Sequence, residues 1–265
     1  MFMQEKINNE FLTAIHDSFK KYIEVKTSRS PDKLVPLHGK IAEIVDFLLK
    51  QRDQCNHHYE VFALGAQGSF NREEYIEGLY KNKQVDITIT ENGNTVAGIA
   101  VKFIMRNYAQ NSINYFETML GETVNIRSKG YHYFQIVIAF DKIPYFEKGE
   151  NGKIKKWETF TENNIKMYLN LNKCILPTCC VPPPHIPNKT LIYIVKLLPR
   201  VDKELIKTES DYFNYYEKYT SYCELSPVDK FWHNTPYVVF NDMSLFMDDV
   251  VNTILYKPMY TPTSF

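Results

Sequence analysis

The amino-acid sequence predicts a mixed α/β (α+β) protein, with helices flanking a central mixed β-sheet. Helical and strand-like patterns alternate along the 265 residues. The stretch Val85 to Arg127 combines both patterns. Its two β-branched segments, Val85 to Thr90 and Thr95 to Ile104, flank Asn92-Gly93, and Asn-Gly is the strongest short hairpin signal. The helical spacing of three and four residues then predicts a helix beginning near Gln110, whose apolar positions are Ile113, Phe116, Leu120 and Val124.

The remaining elements follow from the same periodicities. A continuous apolar run such as Tyr131 to Phe140 is typical of a strand in the buried middle of a sheet. We find no internal repeat and no linker, so we expect one domain over residues 1–265. Its core spans about 36–200, preceded by a helix over 3–26 and followed by a helical and loop extension over 202–265. The other predicted elements are a helix over 36–54, a strand over 59–64, a polar lead into the hairpin over 69–83, a loop over 141–156, a helix over 157–173, an irregular proline-rich connection over 174–189, a strand over 191–198, a Tyr-rich helix after 202, a loop over 227–236 and a helix over 244–256.

Composition narrows the class of protein. Hydrophobic residues make up 44% and charged residues 23%, as in an ordinary soluble globular protein. The net charge is zero, so a nucleic acid would have to be held by a local basic patch. Five cysteines without an export signal predict reduced thiols and a cytoplasmic location. No apolar run approaches the ~20 residues that span a bilayer, so we expect no membrane partner.

Titratable residues gather in the central stretch. Asp86 opens the first strand of the hairpin, Lys102 lies near the end of the second, and two acids follow on the helix, Glu117 and Glu122. Carboxylates are the oxygen ligands that Mg²⁺ prefers, and a lysine can stabilise negative charge on a phosphate. These residue types together predict metal-assisted hydrolysis of a phosphodiester.

The same residues resemble a known family, the PD-(D/E)XK nuclease superfamily, over about residues 59–140. Asp86 matches the first acid of the motif, although Val85 precedes it where the family has proline. Val101 and Lys102 match the end of the second motif element, and the expected αβββαβ order is consistent with the family core. The resemblance implies a Mg²⁺-dependent endonuclease of the type II restriction class. It also implies a homodimer acting on double-stranded DNA, with the backbone carbonyl of Val101 as a further metal ligand.

The sequence departs from the family at Ala100, where the second acid of the motif is expected. Three explanations are open: an inactive relative, an inactivating substitution at Ala100, or migration of the acid to the following helix. A subgroup of restriction enzymes has such a migrated acid about four helical turns beyond the lysine, and Glu117 matches that place here. We expect migration, with Glu117 as the second ligand and Glu122 as its alternative. Glu43, on the second helix, is a remoter alternative whose expected place is the surface.

Two further sets of residues are candidates for DNA contacts. Base readout is expected from the polar stretch after the hairpin, since Arg pairs with guanine and Asn or Gln with adenine. Phosphate contacts are expected from basic side chains further on. The alternatives are a capped polar helix entry and an exposed loop, and the rival functions are an inactive DNA-binding protein and a non-enzymatic interaction protein. The readout residues are Arg106, Asn107, Gln110 and Asn111, and the phosphate-binding residues are Arg127, Lys153, Lys155 and Lys156.

Overall fold

The computed structural model of the protein describes residues 2–27, 30–147, 152–171, 183–198, 205–219, 224–228 and 235–256. These residues form a mixed α/β architecture of six helices around a mixed central sheet, which confirms the predicted fold class. The helices are α1 (Phe2–Val25), α2 (Val35–Arg52), α3 (Tyr108–Arg127), α4 (Glu162–Leu171), α5 (Glu209–Tyr219) and α6 (Met243–Tyr256). The strands are β1 (Tyr59–Ala63), β2 (Glu74–Ile76), β3 (Lys83–Val85), β4 (Ile87–Glu91), β5 (Asn94–Ile104), β6 (His132–Phe140), β7 (Lys142–Phe146), β8 (Ile154–Thr159), β9 (Lys189–Leu198), β10 (Glu224–Pro227) and β11 (Val238–Phe240).

The central sheet has the order β1-β4-β5-β6-β9-β10, and β11 pairs with the first part of β9. The strands β1, β4 and β5 are antiparallel neighbours, whereas β5, β6 and β9 run parallel. The predicted hairpin is β4–β5, and its turn residues Asn92 and Gly93 have φ values of 50° and 79°. Positive φ at both positions gives the turn the twist that suits two antiparallel strands.

Helices cover both faces of the sheet. Alternation along β6 shows this directly, because successive side chains of a strand point to opposite faces. The ring of Phe134 lies 6.4 Å from that of Phe246 on α6. The amide of the next residue, Gln135, donates to the Met119 carbonyl and the Thr123 hydroxyl of α3. All nine residues of β6 are buried, which explains its unbroken apolar sequence.

The first turn of α2 packs directly against the turn after β1. A Cβ atom on Gly39 would lie 2.4 Å from the carbonyl oxygen of Gly65, and one on Gly65 would lie 2.3 Å from the Val35 oxygen. Gly65 also has a φ of 87°, which favours glycine. This close approach of two backbones fixes the start of α2, and with it His38, beside the end of β1.

The structure corrects three predicted spans. The expected loop over 141–156 contains most of a two-stranded ribbon, β7–β8, and the helix expected from Trp157 begins only at Glu162. The polar segment 69–83 contains β2 and leads into β3. Such short strands are stabilised by their partner strand rather than by a local pattern, so periodicity does not reveal them. Of the proline-rich connection and the loop over 227–236, residues 174–182 and 229–234 lie outside the described residues.

Among the residues with a described structure, no helix combines the length and the apolar character required to cross a bilayer.

The Gly39–Gly65 contact gives a stability prediction. We expect Gly39→Ala to lower the free energy of unfolding by about 1–3 kcal/mol, because neither backbone can move away without displacing α2 from β1. The measurement is urea denaturation followed by circular dichroism.

Gly121 on α3 is the matched control, since a Cβ atom there would meet no atom within 4 Å. Gly121→Ala should raise stability by about 0.5–1 kcal/mol through helix propensity alone. Equal effects of the two substitutions would show that the contact at Gly39 does not constrain the fold.

Candidate metal centre

Asp86 lies at the bend between β3 and β4, at the point where the hairpin enters the central sheet. The strand β4 begins at Ile87, which pairs with Ile99, so β5 continues past the end of its neighbour. The backbone N–H of Val101 donates instead to the Asp86 carboxylate, at 2.7 Å. The part of β5 that extends past β4 therefore holds Asp86 in place. The hydrogen bond to the Asp86 side chain takes the position that a bond to a neighbouring strand would otherwise have. The Val101 carbonyl stays a predicted ligand.

Two further side chains meet Asp86. His38 comes from the first turn of α2, and Glu73 comes from the residue before β2. One ligand atom from each of the three lies within 4.8 Å of the others. Two carboxylates and an imidazole converge here from three separate elements, so a group of potential metal ligands forms beside the overhang of β5.

His38 is the most informative member of this group. Its side chain is only 2% exposed, and neither ring nitrogen has a hydrogen-bond partner in the described structure. Burial lowers the pKa of His38, the Asp86 carboxylate opposes this shift, and the Lys102 ammonium adds to it. A buried polar group without a partner costs about 1–3 kcal/mol. A neutral imidazole held in this way keeps one lone pair available for a cation.

Glu73 brings a second negative charge close to Asp86. Its carboxylate is half-buried, and no described side chain forms an ion pair with it. Burial raises the pKa of Glu73, repulsion from Asp86 raises it further, and Lys83 opposes the increase. Two carboxylates at this separation repel each other unless a positive charge lies between them. The group therefore favours a cation electrostatically.

Lys102 borders the same group. It is half-buried near the end of β5 and close enough to His38 to lower the pKa of the imidazole. No described acid forms an ion pair with its ammonium group. An amine that is near a potential metal centre and not committed to a carboxylate can interact with an anionic ligand.

The donor set fits a divalent cation. Bonds of about 2.1 Å to one ion place neighbouring donors about 3 Å apart, so small side-chain rotations bring this group to ligand distances. Mg²⁺ prefers oxygen donors, while Mn²⁺ accepts carboxylate and imidazole together. His38 therefore favours Mn²⁺ more than an all-carboxylate site would.

The structure explains why position 100 is occupied by alanine and not by an acidic residue. Its side chain is 3% exposed and lies in an apolar cluster with Ile76, Val85, Ile126 and Tyr133. A glutamate at this position would place a charge in an apolar environment, at a large desolvation cost. The second carboxylate beside Asp86 is instead Glu73.

The expected migrated acid is not in this group. The buried face of α3 includes Met119, Thr123 and Ile126, and Glu117 lies about 160° around the helix from Met119. Its side chain is accordingly exposed. The structure therefore does not bring Glu117 to Asp86, and the acid that it does bring there is Glu73.

Glu122, the alternative acid, lies at the border of the group. It forms an ion pair with Lys83 at 2.9 Å and accepts a bond from the Tyr133 hydroxyl at 3.3 Å. Burial raises the pKa of Tyr133, and the charges of Glu122 and Asp86 add to this effect. Glu122 thus contacts both Lys83 and Tyr133, and Tyr133 in turn lies close enough to Asp86 for that charge to affect its pKa. The remoter alternative, Glu43, is exposed and pairs with Lys40 at 2.6 Å.

Three of the expected DNA-binding residues have structural partners instead. Arg106 forms an ion pair with Glu209 on α5, and its guanidinium lies 5.6 Å from the Phe146 ring centre. The amide of Asn107 donates to the Phe146 carbonyl at 3.0 Å and accepts from its N–H at 2.8 Å. These bonds join the end of β5 to β7 and α5. Both side chains are thus engaged within the protein, and base readout by either stays a prediction.

Arg127 is the third of these residues. Its guanidinium is buried and donates to the carbonyls of Pro183 and Ile186. Burial lowers the pKa of Arg127 to about 10. The side chain therefore stabilises the segment before β9 and is not available to a phosphate.

The other expected DNA contacts remain accessible. The exposed residues are Gln110 on α3 and the three lysines of β8 and its approach, while Asn111 is half-buried and donates to the Asn107 carbonyl at 3.0 Å. Lys156 lies 3.4 Å from Glu158 and stacks over Tyr145. The lysines in question are Lys153, Lys155 and Lys156.

Sequence reasoning missed His38 and Glu73. His38 lies in the buried apolar face of α2, where a lone histidine has no local signal. Glu73 belongs to the polar segment just before the hairpin, and its nearness to Asp86 was the available signal. Only the folding of β2 against β3 brings the two acids together.

A second group of potential ligands, Asp53, Cys55 and His57, lies after the end of α2. Asp53 there accepts bonds from the backbone N–H groups of Cys55 and His57 and lies 3.2 Å from the His57 ring nitrogen. These bonds already satisfy the carboxylate as part of the helix-ending turn. The group at Asp86 differs because its imidazole is buried and has no hydrogen-bond partner among the residues that the structure describes.

The candidate metal centre gives a prediction about stability in the presence of a cation. A ligand such as Mn²⁺ that binds only the folded protein stabilises it by about 2.7 kcal/mol when its concentration is about 100 times the dissociation constant. For the wild type we therefore expect a rise in Tm of roughly 5–10 °C, measured by differential scanning fluorimetry with and without MnCl₂. Glu73→Gln should lose most of this rise without lowering the Tm of the metal-free protein, because it removes the repulsion from Asp86.

Glu74→Gln is the control, since Glu74 pairs with Arg72 at 2.6 Å and does not belong to the ligand group. This variant should keep the full manganese-dependent rise. An equal manganese-dependent rise in Tm in wild type and Glu73→Gln would show that Glu73 is not a ligand of the cation.

The chain was also compared with known proteins. No protein-family description matches it, and neither a curated protein nor a solved structure gives a significant match.

Proposed function

We propose that this chain is a divalent-cation-dependent DNA endonuclease of the type II restriction class, acting in the cytoplasm. The observation that carries the proposal is the convergence of Asp86 and Glu73 with a buried, unpartnered His38, bordered by Lys102. Acids together with a lysine are the parts that hydrolysis of a phosphodiester requires. The resemblance of Asp86, Val101 and Lys102 to the PD-(D/E)XK motif supports the choice of DNA as substrate.

Asp86, Glu73 and His38 would hold the cation, with the Val101 carbonyl as an expected further ligand. Mg²⁺ or Mn²⁺ bound there supplies charge neutralisation at the phosphate and a water that is easier to deprotonate. The hydrogen bond from the Val101 N–H keeps Asp86 oriented, so the carboxylate does not have to be ordered when substrate binds.

Lys102 acts on the substrate side of the site. Its ammonium donates hydrogen bonds to the attacking water and to the phosphate, and its positive charge stabilises the charge that develops on the pentavalent phosphate. We assign no proton transfer to His38, whose role is that of a neutral ligand.

Exposed polar and basic side chains supply the DNA contacts in this proposal. Lys153, Lys155 and Lys156 bind phosphates, and Gln110 is accessible for base contacts. A restriction enzyme cuts both strands of a palindromic site, so we propose a two-fold symmetric homodimer as the active form.

Cleavage of mixed-sequence plasmid DNA tests this function. Wild-type protein with Mn²⁺ or Mg²⁺ should convert supercoiled plasmid into discrete linear fragments, with Mn²⁺ at least as effective as Mg²⁺. Asp86→Ala and Lys102→Ala should each reduce the rate about 100-fold or more, because they remove a metal ligand and the charge that stabilises the transition state.

Glu117→Gln serves as the matched control and should cleave at the wild-type rate, because Glu117 is exposed on the far side of α3. DNA binding without cleavage in either metal would favour an inactive DNA-binding protein. Absence of any salt-dependent DNA binding would favour an interaction protein.

A further inference from the structure

The turn that follows α2 carries the other group of potential ligands, Asp53, Cys55 and His57, whose ligand atoms lie within 4.8 Å of one another. The Asp53 carboxylate accepts the backbone N–H groups of Cys55 and His57, which fixes the turn around that carboxylate. A carboxylate has about four lone pairs, so these two bonds leave lone pairs for a further partner. The turn is thus preorganised, and its donor atoms stay available.

Glu91, at the end of β4, brings a fourth donor from a separate element. It pairs with Tyr59 of β1, and the Tyr59 hydroxyl donates to its carboxylate at 2.7 Å. The next residue, Asn92, donates its N–H to the His58 carbonyl at 2.7 Å and accepts the His58 N–H on its side-chain oxygen at 3.1 Å. These bonds hold the end of the hairpin against the turn, and the Glu91 carboxylate consequently lies 3.5 Å from Nδ1 of His57.

The spacing of the donor atoms matches a small tetrahedral ion. Zinc bonds of about 2.1 Å at tetrahedral angles place two ligand atoms about 3.4 Å apart. The Nδ1 atom of His57 lies 3.2 Å from the Asp53 carboxylate and 3.5 Å from that of Glu91. A protonated imidazole between two carboxylates would show the same distances. The exposed thiol of Cys55, however, has no role in such an ion pair, and it belongs to the same group of ligand atoms.

The charges around this group favour a cation. Burial alone would raise the pKa of Asp53, but the backbone bonds of the turn and the nearby His57 outweigh this effect and lower the pKa, so the carboxylate stays ionised. In the part of the chain that the structure describes, no lysine or arginine forms an ion pair with Asp53 or Glu91, and the neighbouring Arg52 pairs with Asp248 instead. Two negative charges therefore converge on one imidazole.

The donor types select the metal. A thiolate, an imidazole and carboxylates are the groups that bind Zn²⁺ in proteins, whereas Mg²⁺ and Mn²⁺ favour oxygen donors. We propose that Asp53, Cys55, His57 and Glu91 form a zinc site, which joins the end of α2 to the hairpin β4–β5. The thiol of Cys55 releases its proton to solvent when the sulfur bonds to the ion. This inference does not depend on the proposed function.

The zinc site is separate from the candidate metal centre. His38 lies in the first turn of α2, and Asp53 follows the last residue of that helix. At 1.5 Å per helical residue, the two positions are about 22 Å apart. The two groups therefore share no ligand, and each can be removed by its own variants. Zinc at the far end of α2 would anchor the helix that carries His38.

Cobalt is the spectroscopic probe for this site. Tetrahedral Co²⁺ with a thiolate ligand shows a sulfur-to-cobalt charge-transfer band in the near ultraviolet and strong visible bands. The reduced, metal-free full chain should develop both on titration with Co²⁺, and Zn²⁺ should abolish them by displacement. Cys55→Ser should lose the charge-transfer band, because the thiolate is gone. His57→Ala should bind Co²⁺ more than about 10-fold more weakly.

His58→Ala is the matched control, since this neighbouring histidine is 74% exposed at its side chain and lies near Glu60, outside the ligand group. His58→Ala and His38→Ala should both keep the charge-transfer band. Folding of each variant is checked by its Tm without metal. Absence of the band in wild type, its persistence in Cys55→Ser, or unchanged Co²⁺ affinity in His57→Ala would overturn the zinc site and leave an ion-paired turn. Plasmid cleavage by the same preparations tests the nuclease proposal independently.

Discussion

The parallel pairing of β5 with β6 is the constraint on which the rest of the structure depends. It runs without interruption from Ala97 opposite His132 to Ile104 opposite Ala139. Parallel neighbours require a crossover, and α3 provides it over one face of the sheet. Both faces of these strands are consequently buried. The end of β5 nevertheless extends past β4, so it has an open side on which the N–H of Val101 can hold Asp86.

This constraint determines which residues can supply the charges of the site. The position of Ala100 lies beneath α3 in an apolar cluster, where an ionised carboxylate would be strongly disfavoured. The ligand group is therefore completed from outside the sheet, by Glu73 before β2 and His38 at the start of α2. Both additions lower stability, one by charge repulsion and the other by an unsatisfied imidazole. Costs of this kind are typical of groups kept for binding rather than for folding.

The sequence predicted the parts of this fold that depend on local pattern. The Asn92-Gly93 turn, the helix after it and the apolar β6 were all placed within a few residues, because periodicity and turn chemistry are local. An aspartate is disfavoured in strands, so Asp86 needs a reason for its place, and Lys102 on the partner strand adds a charge that suits a phosphate. In the structure, both side chains lie close enough to His38 for their charges to affect the pKa of its imidazole.

What the sequence does not reveal depends on contacts that are not local. The helical pattern of α3 does not tell whether Glu117 or Glu122 faces the sheet. Only the packing of α3 on β6 determines which side of the helix is turned toward the sheet. Arg106 is held by Glu209, about a hundred positions further along the chain, so its sequence context could not reveal the partner. His38 and Glu73 were overlooked for the same reason, because they are brought to Asp86 by separate elements.

The coordination of a bound cation tests the central claim most directly. Pulsed electron paramagnetic resonance detects the ¹⁴N nucleus of an imidazole that is bonded to Mn²⁺. We predict one bound Mn²⁺ per chain with a single histidine nitrogen coupled to it, and loss of that coupling in His38→Ala. Bound Mn²⁺ without nitrogen coupling, or coupling that persists in His38→Ala, would contradict the assignment of the metal centre to His38, Glu73 and Asp86.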